Sequence, residues 1–500
     1  MKILFKFLFV FIFFNLFSSQ PDYSYSVVKV LVTKQQYSYE VPWQAPSQCL
    51  CSGSGFLIED GYIFTNAHVV ANAATIHVQK NKESIPYDAT IEYVDHDCDL
   101  AVLKVVDKSF YNEMKPLELA DEVFIGEKLR VVGFPMEGIN LCLTEGITSR
   151  EERYRYGHSG KEFDVIQIDS TVNGGNSGGP AISQKEGKVL GVVHQAAETG
   201  QNVNHIIPIR MVKHFIKEIN EQAYFGFPEL GLEIQPLLNP SLQKYLGLKD
   251  DKCGVLIKSI DFGSCVEGIL FPGDILIEVD GYQIRNDGTI KVNGKVRNLA
   301  SFLSDKFYQE KIKGVVLRDE KKLFLEIPII KSKELEQSLV PLKQYDCKPT
   351  YFVLGGIVFQ PLNENFLHHF YINHGYIPAD LRYYYCYGKK SEDKTEVIFI
   401  NRVLSDGINF GYGNLALSII SEVNGQKIKN MKDLVSIIDD TKEDYYIITT
   451  EKGEKIILDK KEVKERQKNI FNKYELDSDR SDDLKPNKQF NWLSFFRGNA

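Results

Sequence analysis

Residues 173–179 read NGGNSGG, which sets one hydroxyl, that of Ser177, among four glycines and two asparagines. A serine hydroxyl is a poor nucleophile at neutral pH and gains reactivity beside a base, usually an imidazole that a carboxylate orients. Two other stretches supply those groups: TNAHVV, with His68, and HDCDLAVLKV, with Asp99. Asp97 shares the strand parity of Asp99 and is the rival acid. The glycines suit such chemistry. Gly175 has no side chain to block its N–H, which with the N–H of Ser177 would form an oxyanion hole, where losing one donor costs about 3–4 kcal/mol. Gly178 and Gly179 would leave room for a substrate backbone. Singly, each motif reads as a glycine-rich turn or a structural histidine; their conjunction in one region, in the order His68, Asp99, Ser177, is what carries weight.

The elements that must hold these groups are short strands. From about residue 25 to 222 the chain runs in brief apolar or alternating segments such as GSGFLIEDGYIFTNA, DLAVLKVV, KLRVVGFP and KVLGVVHQA, broken by Gly and Asp-Gly turns. This spacing predicts an antiparallel β barrel or sandwich. A strand over 62–65 places His68 just beyond its end, and a strand through Leu100–Leu103 starts at Asp99, half-buried at the rim. PIRMVKHFIKEINEQ has apolar residues near helical spacing and closes the unit as a helix. Residues 227–330 and 348–460 then repeat one plan: a glycine-bearing apolar loop, strands (GVLIKSI, EVIFINRV), an apolar run before a turn (GDILIEVDGYQI, ALSIISEVNGQKI) and a helix (RNLASFLSDKF, MKDLVSIIDD). A period near 100 residues is domain duplication, not a solenoid. NDGTIKVNGKVRN is an insertion in the first copy, with no purpose legible. Residues 331–347 are a linker, and 461–500 a charged, partly disordered tail. Residues 1–19 have the charged, apolar, small order of a cleaved secretory signal ending near Ser19, with an uncleaved membrane anchor as the alternative.

Composition narrows the function. The 500 residues carry a formal net charge of −8, so nucleic acid is not expected as a partner. The eight cysteines contain no C-x-x-C and are too sparse for a disulfide scaffold. His368, His369 and His374 lack zincin-like spacing and are expected in a solvated loop. There is no Walker-type loop, and neither a metal nor an organic cofactor is expected. KKEVKERQKN reads as a solvated helix face. Tyr23, Tyr25, Tyr37, Tyr39 and Trp43 read as barrel residues.

TNAHVV, DCDLAVLKV and GNSGGPAI resemble the catalytic motifs of the Deg/HtrA serine proteases, and the two later segments resemble the PDZ domains that follow in that family. PTYFVLGGIVFQPL, INFGYG and the two-PDZ length are similar to the plant-type branch, the likeness running from about residue 45 to 480. The resemblance implies a mainly β fold: a chymotrypsin-like double β-barrel followed by two PDZ-like α+β domains. It implies Ser177 as nucleophile, His68 as base, Asp99 as acid, and Gly175 with Ser177 as oxyanion donors. It further implies ATP-independent cleavage of unfolded or damaged proteins by assemblies of trimers, in which Tyr23, Tyr25, Tyr37, Tyr39 and Trp43 would be trimer contacts, the alternative to barrel residues. The specificity pocket would be walled by Val193, His194 and Gln195 and by residues 204–207, including His205 and Ile206. Ile206 would shorten the pocket, and with no aspartate at its base a small or medium aliphatic residue is expected before the cut. PDZ domains hold C-terminal carboxylates with loop N–H groups; here these would be Leu230, Gly231 and Leu232, and Leu354, Gly355 and Gly356. One departure stands out: where the family has N-P-G-N-S, this chain has Asn173, Gly174 and Gly175. Glycine in place of proline adds backbone freedom worth up to about 1 kcal/mol, which loosens the oxyanion loop. The rival reading, a PDZ-based scaffold or holdase with a weakly active barrel, rests on that glycine.

Overall fold

The computed structural model describes residues 22–135, 138–194, 204–221, 224–248, 253–331 and 338–486. The expected signal and the last residues of the tail lie outside that set.

Alternating apolar residues in the first part of the chain close into two six-stranded antiparallel barrels. β1 (Val27–Gln36), β2 (Ser47–Leu57), β3 (Ile63–Thr65), β4 (Ala73–Lys80), β5 (Tyr87–Asp95) and β6 (Leu100–Val105) form the first, in the order β1-β2-β3-β6-β5-β4. A short helix α1 (Ala67–Val70) interrupts them after β3. β7 (Lys128–Gly133), β8 (Cys142–Arg155), β9 (Glu162–Ile168), β10 (Pro180–Ser183), β11 (Val189–Val193) and β12 (Asn204–Pro208) form the second, in the order β10-β11-β12-β9-β8-β7. Strand side chains alternate between faces, so each barrel fills from one parity. Val28, Val30, Val32, Ile63, Ala101 and Leu103 occupy the first, and Leu129, Val131, Ile166, Ala181, Val193 and Ile206 the second. A third layer, including Phe56, Phe64, Val132, Phe134, Tyr156 and Phe163, glues barrel to barrel. α2 (Ile209–Asn220) completes this layer with Met211, Val212, Phe215 and Ile219.

The first PDZ-like unit is an antiparallel sheet of Leu232–Pro236, Val255–Ile260, Ile275–Val279, Lys311–Arg318 and Lys321–Pro328 in that order. Its helix, Leu299–Leu303, is shorter than RNLASFLSDKF suggests; Asn298 caps it by accepting from Ala300 N–H. The insertion is a hairpin, Thr289–Val292 with Lys295–Asn298, and it has a structural purpose: it reaches back to the second barrel. Lys295 pairs with Glu122 at 3.6 Å, while Arg297 and Arg210 both reach Asp305. Asp164, buried at this seam, receives Arg210 and the Ser301 hydroxyl.

The second PDZ-like unit differs from its expected plan in two places. Residues 364–387 form two helices, Glu364–His374 and Ala379–Tyr387. His368, His369 and His374 therefore lie on a helix and not in a loop; Asn363 caps its start and Gly375, at φ 76°, ends it. The charged tail is also helical over Lys460–Tyr474, burying Val463 and Ile470, and Arg480 beyond it pairs with Asp439 at 2.6 Å. Residues 461–484 thus complete this unit, since two apolar residues seven apart fall on one helix face and suffice to anchor an otherwise charged segment.

The aromatics between β1 and β2 clamp this unit to the first barrel. Tyr39 is buried with Leu339, Val340, Phe366 and Phe399, and Trp43 Nε1 donates to Tyr474 O at 3.1 Å.

Candidate active site

β3 ends at Thr65, paired with Ala101 of β6, so the chain after β3 and the chain before β6 meet at one barrel rim. His68 stands on α1, and Asp99 sits in the turn before β6 with φ 57°, a left-handed conformation that aspartate tolerates better than most residues. Asn66 Nδ2 donates to Asp99 O at 2.9 Å, fixing the turn. Asp99 Oδ1 accepts the His68 backbone N–H at 2.7 Å and Oδ2 faces His68 Nδ1 at 2.7 Å. With Nδ1 as donor, His68 Nε2 carries the free lone pair. Asp99 is fully buried, not half-buried as its rim position suggests. Burial alone would push its carboxyl up, but the His68 charge and the hydrogen bonds from His194 and His68 hold it well below the usual carboxylate range. Asp97 points elsewhere, to Lys161 Nζ at 2.7 Å.

The nucleophile loop lies between the barrels. Ser54 N–H donates to Ser177 O at 2.8 Å, Gly178 N–H to Val193 O at 3.0 Å, and Ser54 Oγ to Gly175 O at 2.7 Å. The glycines after Ser177 serve packing more than substrate room. A Cβ on Gly178, at φ 84°, would lie 2.3 Å from Ser54 O, and one on Gly179 would lie 2.4 Å from Val132 O. Among the described residues neither Gly175 N–H nor Ser177 N–H donates to a protein acceptor, leaving both available to an oxyanion. Nor does Ser177 Oγ bond His68 there; in resting enzymes that bond is often long and tightens with substrate.

The expected specificity residues divide. Val193 and Ile206 are core residues of the second barrel. His194 does not face a pocket: its Nδ1 lies 2.9 Å from Asp99 Oδ2. His205 packs on Tyr154, ring centroids 4.5 Å apart, and burial pushes its imidazole down. Gln195 lies outside the described residues. His68, Asp99 and His194 are close enough to share a metal, yet both Nδ1 atoms already face the one carboxylate oxygen, as N–H donors would.

Four residues near the site, His96, His158, Tyr345 and Asp346, were not anticipated. His158, in the turn after β8, has its ring 6.2 Å from that of His68. His96 Nδ1 meets His158 Nε2 at 2.9 Å, and His96 Nε2 meets Asp346 Oδ2 at 2.8 Å. Tyr345 stacks on His158, centroids 3.9 Å apart, and donates its hydroxyl to His158 O at 2.7 Å. Burial takes His158 down to about 3, so it is neutral at ordinary pH. The linker is thereby docked beside the His68 imidazole. His96, three residues before Asp99, was visible in the sequence; nothing there joined it to residues 345 and 346.

The two PDZ-like loops are unlike each other. Leu230, Gly231, Leu232 and Ile234 line a cavity of about 250 Å³ opposite Leu299 and Leu303. Strand Leu232–Pro236 pairs on one side with Val255–Ile260, and its other edge is open among the described residues. In the second unit Gly355 and Gly356, at φ 56° and 84°, form the two-residue turn of a hairpin joining Phe352–Leu354 to Ile357–Pro361. That turn is closed by Asn409 Nδ2 donating to Gly355 O at 2.8 Å, and the outer strand is covered where Val353 N–H donates to Asp479 O. Gly355 and Gly356 are therefore turn residues, Leu354 ends the strand before them, and strand Ile357–Pro361, which a peptide would join, is paired on both sides.

Two closed barrels with an Asp–His pair and a serine at their interface, joined to a PDZ domain, define a trypsin-like serine endopeptidase that binds peptides. Residues 53–192 match the trypsin-like peptidase domain family and residues 340–483 the PDZ domain family. Protease Do-like 4, mitochondrial, of Arabidopsis thaliana is 33% identical over 428 residues, covering 85% of this chain and 79% of its own. Protease Do-like 2, chloroplastic, of the same plant is 29% identical over 464 residues, covering 92% and 75%. A variant of the HtrA-type protease AlgW solved with a decapeptide superposes with a TM-score of 0.50 at 25% identity, over 62% of this chain and 95% of that one. The chain belongs to the Deg/HtrA family, serine endopeptidases of protein quality control.

Proposed function

We propose that the chain cleaves unfolded or damaged polypeptides without ATP, through a triad of His68, Asp99 and Ser177. His68 Nε2 takes the Ser177 proton as Oγ attacks the peptide carbonyl, and the N–H groups of Gly175 and Ser177 hold the oxyanion. The imidazolium, steadied by Asp99, returns its proton to the leaving amine, and water releases the acyl-enzyme by the reverse path. The observation that carries this reading is the hydrogen bond of 2.7 Å from the His68 imidazole to a buried carboxylate, beside a serine flanked by two unspent N–H groups.

The first PDZ-like unit is the one that captures peptide termini, at Leu230, Gly231 and Leu232, since its strand edge is open. The second acts as a clamp between linker and barrel. Assembly into trimers rests on family likeness alone. Relatives named for mitochondria and chloroplasts support residence in the lumen of a membrane-bounded organelle. Among the described residues no helix is long and apolar enough to cross a membrane.

The test is labelling of the purified protein with a fluorophosphonate probe beside Ser177→Ala, followed by digestion of unfolded casein. Labelling that vanishes in the variant, together with casein cleavage, is the expected result. Absence of both at several pH values and temperatures overturns the protease reading in favour of a PDZ scaffold.

A further inference from the structure

We propose that His194 is a positioning residue of the triad: a second imidazole that donates to the catalytic carboxylate and shares it with His68. Asp99 accepts three hydrogen bonds from two histidines. Oδ1 takes the His68 backbone N–H at 2.7 Å, and Oδ2 takes His68 Nδ1 at 2.7 Å and His194 Nδ1 at 2.9 Å. The two rings stand 6.2 Å apart at 74°, so they approach the same oxygen from different directions and do not compete for one lone pair.

His194 is held as a rigid support would be. Its side chain is 2% exposed, its backbone N–H donates to His205 O at 2.9 Å, and its ring lies on the buried Tyr156, centroids 4.5 Å apart. The residue before it, Val193, exchanges backbone hydrogen bonds with Gly178 and Gly179 at 3.0 and 2.8 Å. One short stretch at the end of β11 therefore grips the nucleophile loop with its backbone and the catalytic acid with the next side chain. The groups facing His194 are His68, Asp99, Tyr156 and His205; Cys98 adjoins Asp99. With Asp99 ionised, the only donor His194 can offer it is Nδ1–H, which fixes its tautomer.

Two consequences follow. A carboxylate tied by His194 cannot rotate away from His68, which favours turnover; and a carboxylate oxygen shared between two donors gives less charge to either. Replacing His194 by phenylalanine keeps the ring on Tyr156 but removes the donor. Turnover is then expected to fall roughly ten- to hundredfold, the scale of one hydrogen bond to a charged group, with KM within about twofold. The acid limb of the kcat/KM profile should move upward by roughly one pH unit, because His68 faces an undivided carboxylate. His194→Asn restores an N–H donor near the Nδ1 position and should restore both. In the native protein, histidine-labelled ¹H–¹⁵N spectra should show two low-field Nδ1–H resonances, a readout that needs no variant to fold.

A phenylalanine variant with native kcat and an unmoved acid limb overturns the proposal. So does a variant that loses turnover with the limb unmoved, or a native spectrum with a single low-field Nδ1–H. The inference rests on the triad reading, and the two fail separately. Activity that Ser177→Ala abolishes but His194→Phe leaves untouched overturns only the role of His194.

Discussion

Ser54 offers the sharpest test of how the oxyanion loop is held. It is fully buried in β2, and its hydroxyl spans the two barrels: it donates to Gly175 O at 2.7 Å and accepts from Phe134 N–H at 2.8 Å. Ser54→Ala removes both bonds at once. Each buried backbone group left without a partner costs about 1–3 kcal/mol, so roughly 2–6 kcal/mol is at stake. The loop has one cheap way to recover part of this. Gly174, unlike the proline of relatives, lets the backbone of residues 174–176 swing as a whole, so that Gly175 O finds water. That movement turns the Gly175 N–H away from the reacting carbonyl, and loss of one oxyanion donor lowers kcat about 10²–10³-fold. The expected signature is therefore a drop in kcat of roughly a hundredfold with KM little changed and a fall in Tm of only a few degrees. Peptide hydrolysis kinetics and a melting curve on the same preparation give both numbers. If kcat stays within about twofold of native while Tm falls by the whole amount, the loop does not reorient, and the reasoning about Gly174 is wrong.

Two further outcomes follow from buried charge. Burial takes His158 down to about 3 and His214 down to about 4, from an ordinary value of 6.5. Between those limits the unfolded chain binds protons that the folded one refuses, so their stabilisation is complete above about pH 6.5 and is lost as pH falls toward 4. The slope is at most about 1.4 kcal/mol per pH unit for each histidine. Tm should fall steadily on acidification from pH 7 to 5, less steeply in His214→Gln; a flat or rising Tm refutes it. At the seam with the first PDZ-like unit, Asp164→Asn leaves the part-buried Arg210 guanidinium with only Glu151 and Asp305 as carboxylate partners, which costs about 1–3 kcal/mol. Hydrogen exchange should rise in residues 289–305 in particular, and uniform exchange across the chain would count against a local latch.

What could be read in advance followed from short-range periodicity. The barrel strands are short apolar runs between turns, so KLRVVGFP and DLAVLKV announced themselves, and His68, Asp99 and Ser177 could be singled out because each sits near a strand end. Burial of Asp99 could not be read, since it depends on His194, 95 residues away. The helix Glu364–His374 was missed because its buried residues, Phe366, Leu367 and Phe370, are too few to make a stripe, although Asn363 and Gly375 already marked its ends. KKEVKERQKN reads as a solvated helix face because its charges outweigh Val463 and the Ile470 that follows it. Gly355 and Gly356 misled for a different reason. Two glycines suit a carboxylate loop and a tight hairpin turn alike, and what excludes the former is Asp479, more than a hundred residues on.

The bonds that dock the linker have a consequence for biosynthesis. Asp346 accepts the Asn72 backbone N–H from a position 274 residues later in the chain, and Tyr345 covers His158 across 187. At about 5–20 residues per second a ribosome needs roughly a quarter of a minute to a minute to add the first of those intervals. Both barrels have left the exit tunnel well before then, so His68, Asp99 and Ser177 can meet while the histidine rim beside them is still bare. That rim can close only after residues 345 and 346 have been made, later than every strand of the two barrels.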